Sequence, residues 1–504
     1  MVNSSGDLFA QSGDTICYTI SFNKAIHHEA DITVSLNVPE KQDIILVMSK
    51  ASPGRYAVHN FGKNLYNLTA SADDTPMSGI ITRVEPDQWK IPDVKGKISI
   101  SCTLFGNHAD GTYTAITDQY AILNMPATLP WISSFDTHPV KLTIDLPDTA
   151  SWKIATQLPQ LDSNNHVYFA PNLQYLMDSP VLIGNLAWKT LKLPESADSS
   201  IHLALIGDFN KSDLDTLVHK ASRVIDEQKM VYGEFPDFDY GNYIFLASYG
   251  PEMNGDGMEH RNSTIITQPS TDKSNVNDLI GTMSHEFFHL WNMERIRPSA
   301  LEPFDFTQAN VCGELWFGEG FTSYYGDLTL CRAGIMSTDE YLAILGRKIN
   351  TIVNSPGRHF GSPVYMSEMA AYTDQAAAAD ATNFQNTFLS YYNYGEAIAI
   401  ALDLRLRTEF KGKSLDDLMK LMWIKYGKTG IGYSNGDIQT ALAELTGNAG
   451  FAADFFQKHI FSNQLPDYSV LFERAGYKFV KKNPGRTSIG YLRLQFENGK
   501  CHIV

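Results

Sequence analysis

Apolar and polar residues alternate with period two in four stretches of the first third of the chain: ICYTISF (16–22), DITVSLNVP (31–39), KISISCTLF (97–105) and KLTIDLP (141–147). Successive side chains of a strand point to opposite faces, so this spacing predicts half-buried β-strands. Gly, Pro and Asp clusters such as ASPGRY and SADDTP supply the turns between them. Residues 1–175 are therefore expected to form an antiparallel β domain. After about residue 180 the period changes. GNYIFLASYG (241–250) is apolar throughout, as a buried strand requires, and NDLIGTMSHEFFHLWNMERIR (277–297) has helical spacing up to Pro298. SLDDLMKLMWIKYG (414–427) opens on a Ser-x-x-Asp capping signature, and NGDIQTALAELTG (435–447) closes on glycine. Residues 176–465 thus combine strands with a mainly helical remainder. From 466 the pattern returns to β, with YLRLQF and KCHIV flanking Asn498-Gly499, a strong hairpin signal. Some forty residues make a poor independent core, so 466–504 reads as the front of a domain cut short.

Composition narrows the field without naming a chemistry. With 43% hydrophobic and 19% charged residues the chain is ordinary globular material. A net charge of -16 argues against nucleic acid, because phosphate binding needs clustered Lys and Arg. No apolar run approaches the ~18 residues of a membrane span. The start, MVNSSGDLFAQ, has neither a basic n-region nor an apolar h-region. The expectation is a soluble protein whose compartment is open: periplasmic or secreted if a signal peptide has been removed, cytoplasmic otherwise. Five cysteines at 17, 102, 312, 331 and 501 show no Cys-x-x-Cys spacing, which speaks against a disulfide framework and leaves at most a bond such as Cys17–Cys102.

One segment carries chemistry. SHEFFHLWN (284–292) contains His-Glu-x-x-His. On a helix His285 and His289 project from one face, a turn apart, so both imidazoles can reach one metal ion. Glu286 between them is placed to take a proton from the attacking water. A catalytic zinc needs a third protein ligand, and the acidic candidates downstream are Glu294, Glu302, Asp305, Glu314, Glu319 and Asp327. Glu294 reads as a solvated residue at the end of the same helix, and Glu302 and Asp305 flank Pro303 in a turn. Glu319 stands out inside the aromatic stretch LWFGEGFTSYYGDL, where an unpaired carboxylate would be costly to bury. The competing reading of Glu319 is an exposed glutamate between two glycines at a helix start.

HEFFHLWNMERIRP followed by LWFGEGFTSYY resembles the glycyl aminopeptidase family of zinc metallopeptidases, a gluzincin group. ASPGRYAVHNFGKN (51–64), GDGMEHRNST (255–264), SPGRHFGSPVYMSEMA (355–370) and SYYNYGEAIAIALDLRLR (390–407) are similar to further family segments in the expected order. The resemblance implies a multidomain α+β fold. Residues 1–175 would be the N-terminal antiparallel β domain, 176–465 a thermolysin-like α/β and helical catalytic domain, and 466–504 the start of a PDZ-like domain. It further implies one Zn²⁺ held by His285, His289 and Glu319. The GMEH stretch would provide the substrate-binding segment, Gly257, Met258 and Glu259, with Glu259 pairing the free α-amine of a peptide. Tyr392, or its neighbour Tyr391, would donate to the oxyanion. Two positions depart from the family pattern: Asp256 stands where glycine is usual, and Tyr394 where lysine is.

The expected function is zinc-dependent hydrolysis of the first peptide bond of substrates with a free N-terminus, with a preference for small residues, glycine or alanine. The alternatives are a zinc endopeptidase that makes no use of Glu259, and a weakly catalytic scaffold acting through a PDZ module on a protein partner.

Overall fold

The computed structural model describes residues 15–503 apart from 74, 78–80, 148–150, 193–198, 271–275, 375–379, 482–483, 486–493 and 498. All four alternating stretches are strands. Ile16–Ser21, Glu29–Val47, Gln88–Phe105 and Val140–Asp145 lie in one ten-stranded sheet. Two of them run far beyond the stretches seen in the sequence, because Glu29–Val47 and Gln88–Phe105 pair antiparallel along nearly their whole length, through shifts of register near Gln42. The sheet is not antiparallel throughout: Ile16–Ser21 runs parallel to Val140–Asp145. The apolar face of these strands, including Tyr18, Ile20, Ile32, Val34, Ile98 and Ile100, closes over the domain's own core. Cys17 and Cys102 are free thiols, the first exposed and the second buried, so the disulfide left open above does not form.

A second sheet of five strands follows, ordered Ala187–Lys192, Ser200–Gly207, Asn242–Gly250, Ser263–Pro269, Asp256–His260. The central three are mutually parallel, and the edge strand Asp256–His260 is antiparallel to its neighbour. The central strands are buried on both faces, which is why GNYIFLASYG shows no alternation. Phe245 and Ala247 join the larger core formed with the helices. Ile244 and Leu246 on the opposite face meet Ile122, Ala155 and Leu182 from a four-stranded sheet of the N-terminal region. The two regions therefore share a dry interface through this sheet.

Three helices close on the sheet's other side and carry the candidate chemistry: Leu279–Phe288, Leu315–Arg332 and Tyr391–Glu409. The first is shorter than its hydrophobic spacing suggests. It ends at Phe288, nine positions before the expected stop at Arg297, and the chain turns through Met293 at φ +112°. The buried Asn292 accounts for this early exit. Its side-chain amide donates to the carbonyls of Phe317 and Gly318 and to Thr322 Oγ1, ties that a continued helix would not make. After 466 the chain forms a helix, Tyr468–Arg474, where β structure is expected, and Tyr468, Leu471 and Phe472 bury into the same large core as the preceding helices. The expected hairpin is present as Leu494–Glu497 paired with Lys500–Ile503, with Gly499 at φ +75°; Asn498 lies outside the described residues. Among the described residues no helix is long and apolar enough to cross a membrane.

Helices Leu315–Arg332 and Tyr391–Glu409 cross in near backbone contact at Gly320 and Gly395. A methyl group on Gly395 would overlap the carbonyl of Trp316 and crowd the Cα of Gly320. Gly281, on the helix Leu279–Phe288, faces open space instead. Gly395→Ala is accordingly expected to lower stability by about 1–3 kcal/mol or more through overpacking, while Gly281→Ala raises it by up to about 1 kcal/mol by removing chain entropy. Urea unfolding midpoints of the two variants should move in opposite directions.

Candidate metal centre and substrate site

His285 and His289 come from the last turn of the helix Leu279–Phe288 and its cap, and Glu319 from the second turn of Leu315–Arg332. Their donor atoms converge. His289 Nε2 lies 3.1 Å from His285 Nε2 and 3.2 Å from Glu319 Oε2. The third separation, His285 Nε2 to Glu319 Oε2, is 3.7 Å. A tetrahedral ion with bonds of about 2.0–2.2 Å spaces its ligands by roughly 3.3–3.6 Å, so these three atoms fit one zinc. Apart from these two imidazoles, no described residue offers Glu319 Oε2 a hydrogen bond, although it is buried. His289 Nδ1 sits 2.8 Å from the carbonyl oxygen of Asn292, which can only accept, so Nδ1 carries a proton and Nε2 is the nitrogen aimed at the cluster. The other acidic candidates lie elsewhere. Glu294 is buried rather than solvated, 3.7 Å from Arg297, and burial raises its carboxyl to about 7.

Glu286 is buried beside this trio, on the side of the edge strand. Its Oε1 occupies the space that a side chain on Gly257 would need, so the glycine lets the strand and the carboxylate approach each other. Glu286 Oε2 has no hydrogen-bond partner among the described residues. Glu259, two positions along the same strand, brings a carboxylate oxygen within 4.8 Å of ligand atoms of both Glu286 and His289. Met258 between them is fully buried and packs against Gly54.

The electrostatics follow from this crowding of acids in a dry space. Burial pushes the Glu286 carboxyl well above its usual range; the charge of His289 opposes the rise, and the neighbouring Glu259 and Glu319 add to it. Glu259 is raised for the same first reason. Burial would raise Glu319 too, but the charge of His289 and hydrogen bonds from both histidines outweigh it and hold Glu319 well below its usual range. His289 would be lowered by burial, yet Glu259 and Glu319 raise it to about 10. The site is a negative well looking for cations.

Tyr392 lies at the start of the helix Tyr391–Glu409, its ring centroid 6.2 Å from that of His285, and it is partly exposed. Tyr391 is buried, and its hydroxyl has no hydrogen-bond partner among the described residues. Both departures from the family pattern are accommodated. Asp256 forms a buried ion pair with Arg55 and accepts the Gly111 amide at 3.0 Å. Tyr394 turns into the helical core, where burial pushes its hydroxyl up to about 12.

The sequence reading assigned no role to the N-terminal region, and here it was incomplete. The loop ASPGRY reaches the site: Tyr56 Oη donates to Glu319 Oε1 at 2.6 Å. Arg55 donates to Thr112 Oγ1 at 2.7 Å and to the Gly257 carbonyl at 3.2 Å. Gly54, at φ +75°, lets the loop turn with its Cα against Met258 and Glu259, where a side chain would collide. The available signal was the similarity of ASPGRYAVHNFGKN to a family segment, since a Gly-Arg-Tyr turn gives no hint of depth by composition.

Comparison with known proteins places this geometry. The family model of the peptidase M61 N-terminal domain matches residues 17–185, and that of M61 glycyl aminopeptidase matches residues 278–398. Comparison with the curated proteins finds no match. Among solved structures, an aminopeptidase N family protein from Idiomarina loihiensis superposes with a TM-score of 0.85 at 22% identity, over 97% of this chain and 85% of that one. An M1 zinc metallopeptidase from Deinococcus radiodurans gives 0.54 at 12% identity, over 90% of this chain and 96% of that one. Legionella pneumophila aminopeptidase A in complex with aspartic acid gives 0.52 at 12%, over 90% of this chain and 50% of that one. At these identities the structural likeness establishes the shared fold. The two family models between them cover more than half of the chain, which belongs to the M61 glycyl aminopeptidase family of zinc metallopeptidases.

Proposed function

We propose that the chain removes the N-terminal residue from peptides, using one Zn²⁺ on His285, His289 and Glu319. The observation that carries this reading is the convergence of those three donor atoms with Glu286 and Glu259 in one buried space. Zinc, when bound, supplies Lewis acidity toward water and the scissile carbonyl. Glu286 takes the proton of the attacking water and returns it to the leaving nitrogen. Its raised proton affinity suits that role, because a carboxylate in a dry, acidic pocket accepts a proton readily. Glu259 pairs the substrate's α-ammonium, a buried carboxylate being what a desolvated cation needs. Gly257 and Met258 offer backbone along the edge strand, and Tyr392 donates to the developing oxyanion. The family description supports a preference for glycine, and alanine joins it as the next smallest residue. The hairpin Leu494–Glu497/Lys500–Ile503 supports reading the last stretch as the opening of a PDZ-like module for a protein partner, with the helix Tyr468–Arg474 belonging to the peptidase unit.

Glu286→Gln should retain zinc in metal analysis while peptide turnover falls by about 10²–10⁴-fold. If wild type and variant both hold zinc and both leave a broad peptide panel uncut, the protein is a scaffold and the enzymatic reading is wrong.

Free-amine peptides should exceed their N-acetylated forms in kcat/KM by about 30-fold or more, the equivalent of ~2 kcal/mol for a buried charge pair. Glu259→Gln should remove most of that difference. Equal cleavage of blocked peptides would identify an endopeptidase instead. A panel of aminoacyl anilides should rank glycine and alanine first.

A further inference from the structure

Tyr56 belongs to the N-terminal β region, 263 positions from Glu319 in sequence, yet its hydroxyl donates to Glu319 Oε1 at 2.6 Å. Three contacts hold Tyr56 still. Its backbone amide donates to Asp374 Oδ2 at 3.1 Å. Its ring stands edge-on to Tyr391, centroids 6.1 Å apart. Arg55, the residue before it, is locked by the buried ion pair with Asp256 and by Thr112. Tyr56 is itself only 1% exposed, so no solvent competes for its hydroxyl.

The consequence for Glu319 is geometric. A carboxylate next to a cation can bind through one oxygen or both, and can rotate about its terminal torsion. With Oε1 occupied by a fixed hydroxyl, Oε2 alone is turned toward the two imidazoles, 3.2 and 3.7 Å from their Nε2 atoms. Among the described residues only Tyr56 and the two imidazoles present donors to this carboxylate. The hydroxyl therefore selects which oxygen ligates and sets its direction.

We propose that Tyr56 is a positioning residue for the metal centre: the N-terminal β region supplies the hydroxyl that fixes Glu319 as a single-oxygen ligand. This inference rests on the assignment of Glu319 as a zinc ligand and goes beyond it by making the centre a product of both regions of the chain. Tyr56 touches no reacting atom; it acts through Glu319.

The test is zinc affinity in the full chain, read by competition with a chromophoric chelator, together with the visible spectrum of the Co²⁺-substituted protein. Tyr56→Phe keeps the ring against Tyr391 and deletes only the hydroxyl. It should weaken zinc binding by about 10–100-fold, as loss of a ligand-orienting hydrogen bond does, and shift the Co²⁺ bands as Glu319 reorients. Tyr18→Phe, in the core of the N-terminal β region and without a hydrogen-bond partner for its hydroxyl among the described residues, should leave both readouts at wild-type values. Affinity and spectrum unchanged in Tyr56→Phe would overturn the proposal. If that variant is unfolded at the assay temperature, Asp374→Ala replaces it, removing the acceptor that anchors the Tyr56 amide; several-fold weaker zinc binding is expected, and unchanged affinity overturns the proposal. Failure of wild type to bind zinc would instead sink the assignment of the metal site, so the two outcomes are distinct.

Discussion

Three carboxylates, Glu259, Glu286 and Glu319, face one buried space, and the rest of the structure is arranged around the cost of keeping them there. An isolated buried carboxylate loses several kcal/mol of solvation, so each must find compensation or take up a proton. Glu319 finds it in His285, His289 and the Tyr56 hydroxyl. Glu286 and Glu259 find less, which is why burial pushes both upward. Asp256 and Asp374 stand close by, with Arg55 as the fixed cation between the strand and the loop. The balance within the protein remains negative. Cations are the charges that would complete it.

Holding such a pocket to sub-ångström tolerance takes rigid walls. Glu319 sits between Gly318 and Gly320, and each glycine has a packing reason. Gly320 meets the backbone of the helix Tyr391–Glu409 at Gly395, while Gly318 makes room for Met293, the residue at which the chain reverses after the His-Glu-x-x-His helix. The two helices therefore locate Glu319 by backbone contact rather than by side chains that could repack. The same crossing brings Tyr391 and Tyr392 to the mouth of the site.

Legibility in the sequence followed the range of the interaction. Period-two alternation and the His-Glu-x-x-His spacing are local, and both lead directly to the strands and to the paired imidazoles. Glu319 was visible because an acid in LWFGEGFTSYY contradicts its apolar surroundings. The early end of the first helix was not legible, since the cause is the side chain of Asn292 reaching carbonyls twenty-five residues away. Tyr56 and Arg55 were hidden for the same reason. In ASPGRY they read as an exposed turn, and only the docking of the N-terminal region converts that turn into a wall of the site.

That docking has its own logic. The central strands of the five-stranded sheet are apolar on both faces, so the catalytic part cannot be finished alone: Ala204, Ile244, Leu246 and Ile265 need a cover, and Ile122, Ala155 and Leu182 of the four-stranded sheet supply it. Removing that cover would expose a contiguous apolar sheet face, which a water-facing surface does not tolerate. Once the cover is in place, the ASPGRY loop is carried to the edge strand, where Arg55 grips Gly257 and Tyr56 reaches Glu319. Hydrophobic burial sets the distance between the two regions, and the polar contact of Tyr56 reads that distance out at Glu319. A β region that looks like a bystander in sequence is half of the scaffold around His285, His289 and Glu319.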